Sequence, residues 1–188
     1  MQTDKGNAQD ANYVGLVRGA SAPEAAEAHG HYVAKCFDAN GVEKWSDVID
    51  NIVVNQGKNF ALDTFLSGSA YTAAVVMGLK ATGTAVVGDT QASHASWLEV
   101  GLANAPAYSG TRKTPAFSAA SAGSKATSTA VSFAFTSAGT VAGCFINLAG
   151  SATIDTTTGN LYSAGDFTGG SKTVANGDTL QVSWTGSL

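Results

Sequence analysis

The stretch that decides the fold is HYVAKCFDANGVEKWSD, residues 31–47. Two strand-like runs, His31–Asp38 and Val42–Asp47, flank the tripeptide Ala39-Asn40-Gly41. Asn-Gly between two such runs is a strong hairpin signal, because both residues favour tight turns. The chain is therefore predicted to become β at His31 and to begin with an antiparallel hairpin.

Short strand-like segments continue to the end of the chain. Thr129–Thr136 alternates, with Val131, Phe133 and Phe135 on one face, and Thr140–Leu148 is apolar on both faces, which predicts a central strand. Many short strands divided by Gly, Thr, Ser and Asn predict a mainly β fold, an antiparallel β-sandwich or barrel-like domain. The other predicted strands are Ala73–Lys80, Leu161–Phe167 and Thr179–Trp184, and Val48–Val54 either extends the second strand or starts a third. Residues 103–128 predict a long loop.

One short helix is predicted near Gln56–Leu66. Ala61, Leu62, Phe65 and Leu66 fall on one stripe of such a helix, whereas Asp63 faces away from it. This pattern is typical of a helix that packs along one side.

Residues 1–30 are predicted to form an extended N-terminal arm, and residues 31–188 a single β domain. The arm has little periodic hydrophobicity apart from Tyr13-Val14-Gly15-Leu16-Val17. Ordering backbone costs about 1–2 kcal/mol per residue, so an ordered arm needs a surface to lie on. We expect it to bind another subunit through the apolar anchors Tyr13, Val14, Leu16 and Val17.

The composition favours a structural protein over an enzyme. About half of the residues are Ala, Gly, Thr or Ser, only 13% are charged, and the net charge is −4. The sequence contains no cluster of Lys and Arg, so no nucleic-acid partner is predicted. Its apolar runs are too short to cross a bilayer, so no membrane span is predicted. The start of the chain lacks the pattern of a secretion signal, so we expect folding in a cytoplasm.

Cys36 and Cys144 are then predicted to be buried thiols, with a disulfide or a reactive cysteine as the alternatives.

Candidate chemistry is sparse in the sequence. His29-Gly30-His31 has no further ligand at metal-binding spacing. Residues 89–96 contain Asp89, Ser93 and His94, but a turn in which Asp89 bonds local backbone N–H groups and Trp97 packs inward explains the segment equally well. Tyr108–Arg112 either presents an aromatic ring and a cation to a ligand or packs on a neighbouring subunit. Asp166 and Asp178 are isolated carboxylates at turns, so no catalytic residue, metal or cofactor is predicted.

Residues 31–188 resemble small structural proteins of tailed-bacteriophage particles, some of which decorate capsids. The resemblance rests mainly on turn glycines, aspartates and aromatic anchors. It is carried by Tyr32, Phe37-Asp38, Asn40-Gly41, Trp45, Asp47, Asn51, Val53-Val54, Gly57, Asn59, Gly88-Asp89-Thr90, Ser93-His94, Trp97, Glu99, Tyr108-Ser109-Gly110, Arg112, Leu161-Tyr162, Phe167 and Gly177-Asp178-Thr179-Leu180. The family implies no catalytic residues, and residues 1–30 lie outside the resemblance.

The resemblance implies a capsid decoration (cement) protein that bridges major capsid subunits in the virion, after assembly in the host cytoplasm. The expected partners are the major capsid protein and further copies of this chain; a trimer suits three-fold junctions, although the sequence does not fix the number. The alternative is a tail or fibre component that contacts host glycans through Trp45, Tyr71, Trp97 and Tyr108. A third hypothesis, a hydrolase, requires Ser, His and Asp to converge in a pocket.

Overall fold

The predicted hairpin is present in the computed structural model, which describes residues 28–66 and 74–187. β1 (His29–Phe37) pairs antiparallel with β2 (Glu43–Val53). The turn between them has Gly41 at φ 81°, and Asp38 Oδ1 accepts hydrogen bonds from the N–H groups of Asn40 (2.8 Å) and Val42 (2.9 Å). β1 begins two residues before the predicted domain boundary at His31, and most of the predicted arm lies outside the described residues.

The described part of the chain is mainly β, as predicted, and contains one helix. No helix in residues 28–66 or 74–187 is long and apolar enough to cross a membrane. The remaining elements are α1 (Asn55–Leu66), β3 (Val76–Lys80), β4 (Glu99–Val100), β5 (Ser124–Ala126), β6 (Val131–Ala134), β7 (Gly139–Val141), β8 (Gly143–Leu148), β9 (Asn160–Asp166), β10 (Lys172–Val174) and β11 (Thr179–Ser187).

Every strand pair in the described residues is antiparallel, and β2 joins two halves of one large sheet. The strand order is β4-β3-β8-β9-β2-β1-β11-β5, with β6 also paired to β11, and β7 and β10 form a separate pair. Most of β2 pairs with β1, whereas Ile52 and Val53 pair with β9. Apolar side chains from both halves belong to one buried core, and Tyr32 Oη lies 2.8 Å from Ser163 Oγ, which links β1 to β9. The predicted sandwich-like antiparallel fold is therefore confirmed.

The predicted central strand corresponds to β8, which lies between β3 and β9. Cys144 and Ile146 face the main core, whereas Phe145 belongs to a second buried cluster with Trp97 and Leu161. A strand buried on both faces explains why no polar alternation is visible in this stretch. The predicted segment is divided, because residues 139–141 form β7 and pair with β10.

The helix begins one residue earlier than predicted, but its apolar stripe does not pack on the core. The first turn packs closely on β9: a Cβ atom at Gly57 would lie 2.6 Å from the Tyr162 backbone. Gln56 Oε1 accepts hydrogen bonds from the N–H groups of Gln91 (2.9 Å) and Leu161 (2.8 Å). Further along, Leu62, Phe65 and Leu66 are 56%, 90% and 77% exposed. These three side chains therefore face solvent, whereas Phe60 of the same helix is half-buried.

Candidate functional site

A surface cleft of about 380 Å³ lies beside β4. Its wall is formed by residues 92–95 and 97–99, Asn104 and residues 155–157. The Asn104 side chain donates to the Glu99 carbonyl oxygen (2.9 Å), and Asp155 Oδ2 accepts from the Ala103 N–H (3.3 Å). The cleft is thus built from three loop segments that are distant in sequence.

A buried ion pair between Glu99 and Arg112 fixes these loops. Arg112 Nε donates to Glu99 Oε1 (2.8 Å) and its Nη2 donates to Oε2 (2.6 Å), while Glu99 Oε2 also accepts from the Asp155 N–H (2.9 Å). The guanidinium donates further to the carbonyl oxygens of Ser151 (3.2 Å) and Thr156 (2.9 Å). Both side chains are almost fully buried. With its oxygens bound by this network, Glu99 is a structural anchor and is not placed to act as a general base.

Asp89, Ser93 and His94 do not form a catalytic triad. Asp89 Oδ2 accepts hydrogen bonds from Trp97 Nε1 (2.9 Å) and from the Val86 N–H (2.9 Å), so its carboxylate holds the indole and not the imidazole. The His94 ring stacks on Trp97 at 4.0 Å, and its Nδ1 lies 2.9 Å from the Trp97 carbonyl oxygen, which requires Nδ1 to be the donor. Trp97 is 2% exposed. The predicted turn with an inward-facing Trp97 is confirmed.

Tyr108 and Arg112 face inward, so they do not present a ring and a cation to a ligand, and that alternative is wrong. Residues 109–111 between them are exposed, and the alternative that this loop packs on a neighbouring subunit stays a prediction. The Tyr108 ring contacts the Phe133 ring edge-on at 5.1 Å. Burial, together with the Glu99 carboxylate nearby, raises the pKa of Tyr108. The sequence does not reveal this orientation, because the partner of Arg112, Glu99, lies in another segment.

The two isolated carboxylates of the sequence each have a lysine partner. Asp166 contacts the buried ammonium group of Lys80, which also donates to the Gly83 carbonyl oxygen (2.6 Å) and lies 5.7 Å from the Trp97 ring centre. Asp178 Oδ2 binds Lys44 Nζ at 2.5 Å. Both carboxylates therefore serve the domain's own packing.

The histidines and cysteines bring no reactive cluster together in the described residues. His31 Nδ1 lies 3.3 Å from Asp50 Oδ1 at the surface. Within residues 28–66 and 74–187, no group of three or more His, Cys, Asp or Glu side chains is placed to hold a metal ion. Cys36 and Cys144 are buried free thiols, as predicted. Burial raises the pKa of Cys36 to about 11 and also raises that of Cys144, which keeps both thiols protonated.

The aromatic side chains proposed to bind glycans are largely packed inside the domain. Trp97 and Tyr108 are buried, and Trp45 is partly buried with its ring edge-on to Phe167 at 5.5 Å. Tyr71 lies outside the described residues, as do all four predicted anchors of the arm, Tyr13, Val14, Leu16 and Val17.

The α1 apolar face, defined as Leu62, Phe65 and Leu66, is the most distinctive surface of the described residues. These side chains are three and four positions apart on one helix and lie next to one another. Contiguous exposed apolar side chains of this size mark binding surfaces more often than chance exposure does. The sequence located the stripe but not its exposure, since a stripe looks the same whether it packs on its own chain or on a partner.

Comparison with known proteins found no matching family model, no similar curated protein and no similar solved structure. The cleft and the α1 apolar face are therefore interpreted from their own geometry.

Proposed function

We propose that this chain is a virion structural protein of a tailed bacteriophage, a capsid decoration (cement) protein that stabilises the head by bridging major capsid subunits. The observation that carries the proposal is the α1 apolar face. Phe65 is 90% exposed and Leu66 is 77% exposed on a helix whose first turn packs on β9. A side chain of this kind is stabilised only when a partner covers it.

The charged side chains form ion pairs within the domain, and this supports a structural role. Glu99, Asp166 and Asp178 each bind a cation of the same domain, and the two thiols are buried. Their interactions connect strands and loops of one domain. The resemblance of residues 31–188 to phage particle proteins supports the same role.

A decoration protein stabilises a capsid because it binds the assembled shell and not the separated subunits. Each covered apolar side chain on the α1 apolar face contributes about 1.5–3 kcal/mol, and the anchors Tyr13, Val14, Leu16 and Val17 of the arm add to this when they bind a neighbour. Self-association, as a trimer at three-fold junctions, repeats the contact by symmetry. Many weak attachments on one particle then hold together through avidity.

A tail or fibre component that contacts the host surface is the second candidate, and the cleft beside β4 favours it. The cleft places the His94 ring, the Asn104 amide and Asp155 around one opening, with Leu98 also in the wall. A ring next to carboxylate and amide groups is a combination that suits polyhydroxylated ligands. The fixed orientation of His94 against Trp97 would present its Nε2 as an acceptor.

Binding of purified protein to undecorated particles of the corresponding phage tests the proposal. The variant Phe65→Ser/Leu66→Ser should bind at least tenfold more weakly than the unchanged chain, because it removes two of the three apolar side chains that the partner would cover. Val42→Ser is the matched control, since Val42 is 62% exposed in the β1–β2 turn, remote in sequence from α1. Equal binding of all three proteins would contradict a bridging role for α1.

A further inference from the structure

We propose that the cleft beside β4 binds a protonated primary amine that stands next to hydroxyl groups, as in an amino sugar. This inference deepens the second candidate function, on which it rests for the use of the cleft as a sugar site, and it is independent of the capsid-bridging role. It follows from the hydrogen-bonding atoms that the cleft wall presents and from the one charge in the wall that has no partner.

The side-chain N–H donors of the wall are bound to carbonyl oxygens of the same domain. His94 Nδ1 lies 2.9 Å from the Trp97 carbonyl oxygen, and Asn104 Nδ2 donates to that of Glu99 (2.9 Å). A carbonyl oxygen only accepts, so these contacts fix the orientation of the imidazole and of the amide. The remaining polar atoms, His94 Nε2 and Asn104 Oδ1, are acceptors that have no partner within residues 28–66 and 74–187.

A third side chain, directly behind the wall, shows the same pattern. Gln91 precedes the wall residue Ala92, and its Nε2 donates to the Thr156 carbonyl oxygen (3.1 Å). Gln91 is only 1% exposed, and its Oε1 has no partner in the part of the chain that the structure describes. A buried acceptor without a donor is costly and rare. This region of the domain therefore lacks donors and has acceptors in excess.

Asp155 carries the uncompensated charge of the wall. Its Oδ2 accepts a long hydrogen bond from the Ala103 N–H (3.3 Å), and no Lys or Arg side chain of the described residues forms an ion pair with it. The other carboxylate, Glu99, is neutralised by the buried guanidinium of Arg112. With a neutral imidazole at His94, the net charge of the wall is negative, and it attracts a cation.

Two other ligand classes fit the cleft less well. An anion such as phosphate needs a cation that can reach it, and Arg112 is buried and bound to Glu99. A divalent metal ion needs more charged ligands than Asp155 and His94 supply, and no group of three or more His, Cys, Asp or Glu side chains among the described residues is placed to hold one. An ammonium group has three donors and one positive charge, so it matches one carboxylate and two neutral acceptors.

The size of the cleft and its hydroxyl groups favour a small polar ring as the carrier of the amine. The volume of about 380 Å³ is near the lower end of the range of about 300–1,000 Å³ for small-molecule sites. Ser93, Thr156 and Thr157 belong to the wall, and their hydroxyls can both donate and accept. They can therefore pair with sugar hydroxyls in either direction. A single amino-sugar ring is the ligand that combines these features.

Titration of the full chain with three matched sugars near neutral pH tests the proposal. Glucosamine carries the ammonium group, glucose carries a hydroxyl in its place, and N-acetylglucosamine converts the amine to an uncharged amide. Calorimetry or protein NMR should give a dissociation constant for glucosamine that is about tenfold lower than for either other sugar, which is the size of one charge-assisted hydrogen bond. The NMR shifts should be centred on His94 and Asn104.

Asp155→Asn is the variant that separates charge from shape. Asn tolerates the left-handed backbone of Asp155 (φ 61°) and keeps an oxygen for the Ala103 N–H. This variant should lose the preference for glucosamine over glucose. The matched control is Asp63→Asn, because Asp63 is exposed on α1 and its replacement changes the net charge equally. The control should keep the full preference.

Three results would overturn the proposal. If glucosamine binds no more tightly than glucose or N-acetylglucosamine, the amine has no role, although the cleft remains a sugar site and the second candidate function stands. If Asp63→Asn loses the preference as well, the effect of charge is general and not local to the cleft. If none of the three sugars binds, both the inference and the sugar site are contradicted. No measurement here uses particles, so the capsid-bridging role is judged separately.

Discussion

Removal of Arg112 is the sharpest perturbation of the loop region that surrounds the cleft. Arg112→Met keeps most of the apolar stem but leaves the buried Glu99 carboxylate without its two guanidinium hydrogen bonds of 2.8 and 2.6 Å. Breaking a buried pair by removing one partner costs about 3–5 kcal/mol, because a buried charge is left uncompensated. The carbonyl oxygen of Ser151 also loses its guanidinium donor, whereas that of Thr156 retains the hydrogen bond from the Gln91 side-chain amide (3.1 Å).

Thermal and urea unfolding measure this loss. At about 2–4 °C per kcal/mol for a chain of this size, the melting temperature should fall by about 6–20 °C. The matched control is Lys35→Met, which breaks the exposed pair of Lys35 and Glu43 at 3.7 Å and should change stability by less than about 1 kcal/mol. Glu99→Leu/Arg112→Met removes both charges and should be more stable than Arg112→Met alone.

Two results would refute this reasoning. If Arg112→Met is no more destabilising than Lys35→Met, the pair is not the anchor of the loops. If the double variant is less stable than Arg112→Met by the full cost of a second independent substitution, Glu99 and Arg112 do not interact in the folded chain.

Three further predictions concern the helix contact, a thiol and an acid. Gly57→Ala should destabilise the fold by about 1–3 kcal/mol in urea unfolding, because its Cβ would lie 2.6 Å from the Tyr162 backbone; an unchanged midpoint would contradict the close packing. Cys36, with a pKa of about 11, should not react with a thiol reagent at pH 8 in the native chain, whereas the denatured chain should show two reactive thiols. Burial opposes ionisation of Asp47, but its bonds, chiefly to Lys172, lower its pKa to about 2. Since the folded pKa is below the unfolded value of about 3.9, the stability that the Asp47 carboxylate contributes is present above pH 4 and is lost towards pH 2. The variant Asp47→Asn should therefore have a lower free energy of unfolding than the unchanged chain above pH 4, and this difference should disappear towards pH 2. A difference that stays constant with pH would argue against the lowered pKa.

The hairpin and the strands were predictable because their signals are local. Asn40-Gly41 fixes a turn, and the alternation of Val131, Phe133 and Phe135 fixes which face is buried. The double-sided burial of β8 was equally visible in its continuous apolar run. Strand order was not predictable, because it depends on pairings between segments far apart in the chain.

The polar anchors escaped prediction for the same reason. Lys80 and Asp166 meet because both are paired with Gly143 of β8, which has no side chain to separate them. The sequence around Lys80 does not indicate that Asp166 is its partner, and the sequence around Asp166 does not indicate Lys80. The exposure of Phe65 was missed because helical periodicity identifies an apolar stripe and not the surface that covers it.

The copy number of this chain in purified particles tests the central claim most directly. A decoration protein occupies symmetry-related positions over the whole head, so a mass-resolved census of particle composition should find on the order of hundreds of copies per particle. A tail or fibre component would be present in about a dozen copies or fewer. Such a low number, or the absence of the chain from particles, would contradict the proposal that it bridges capsid subunits.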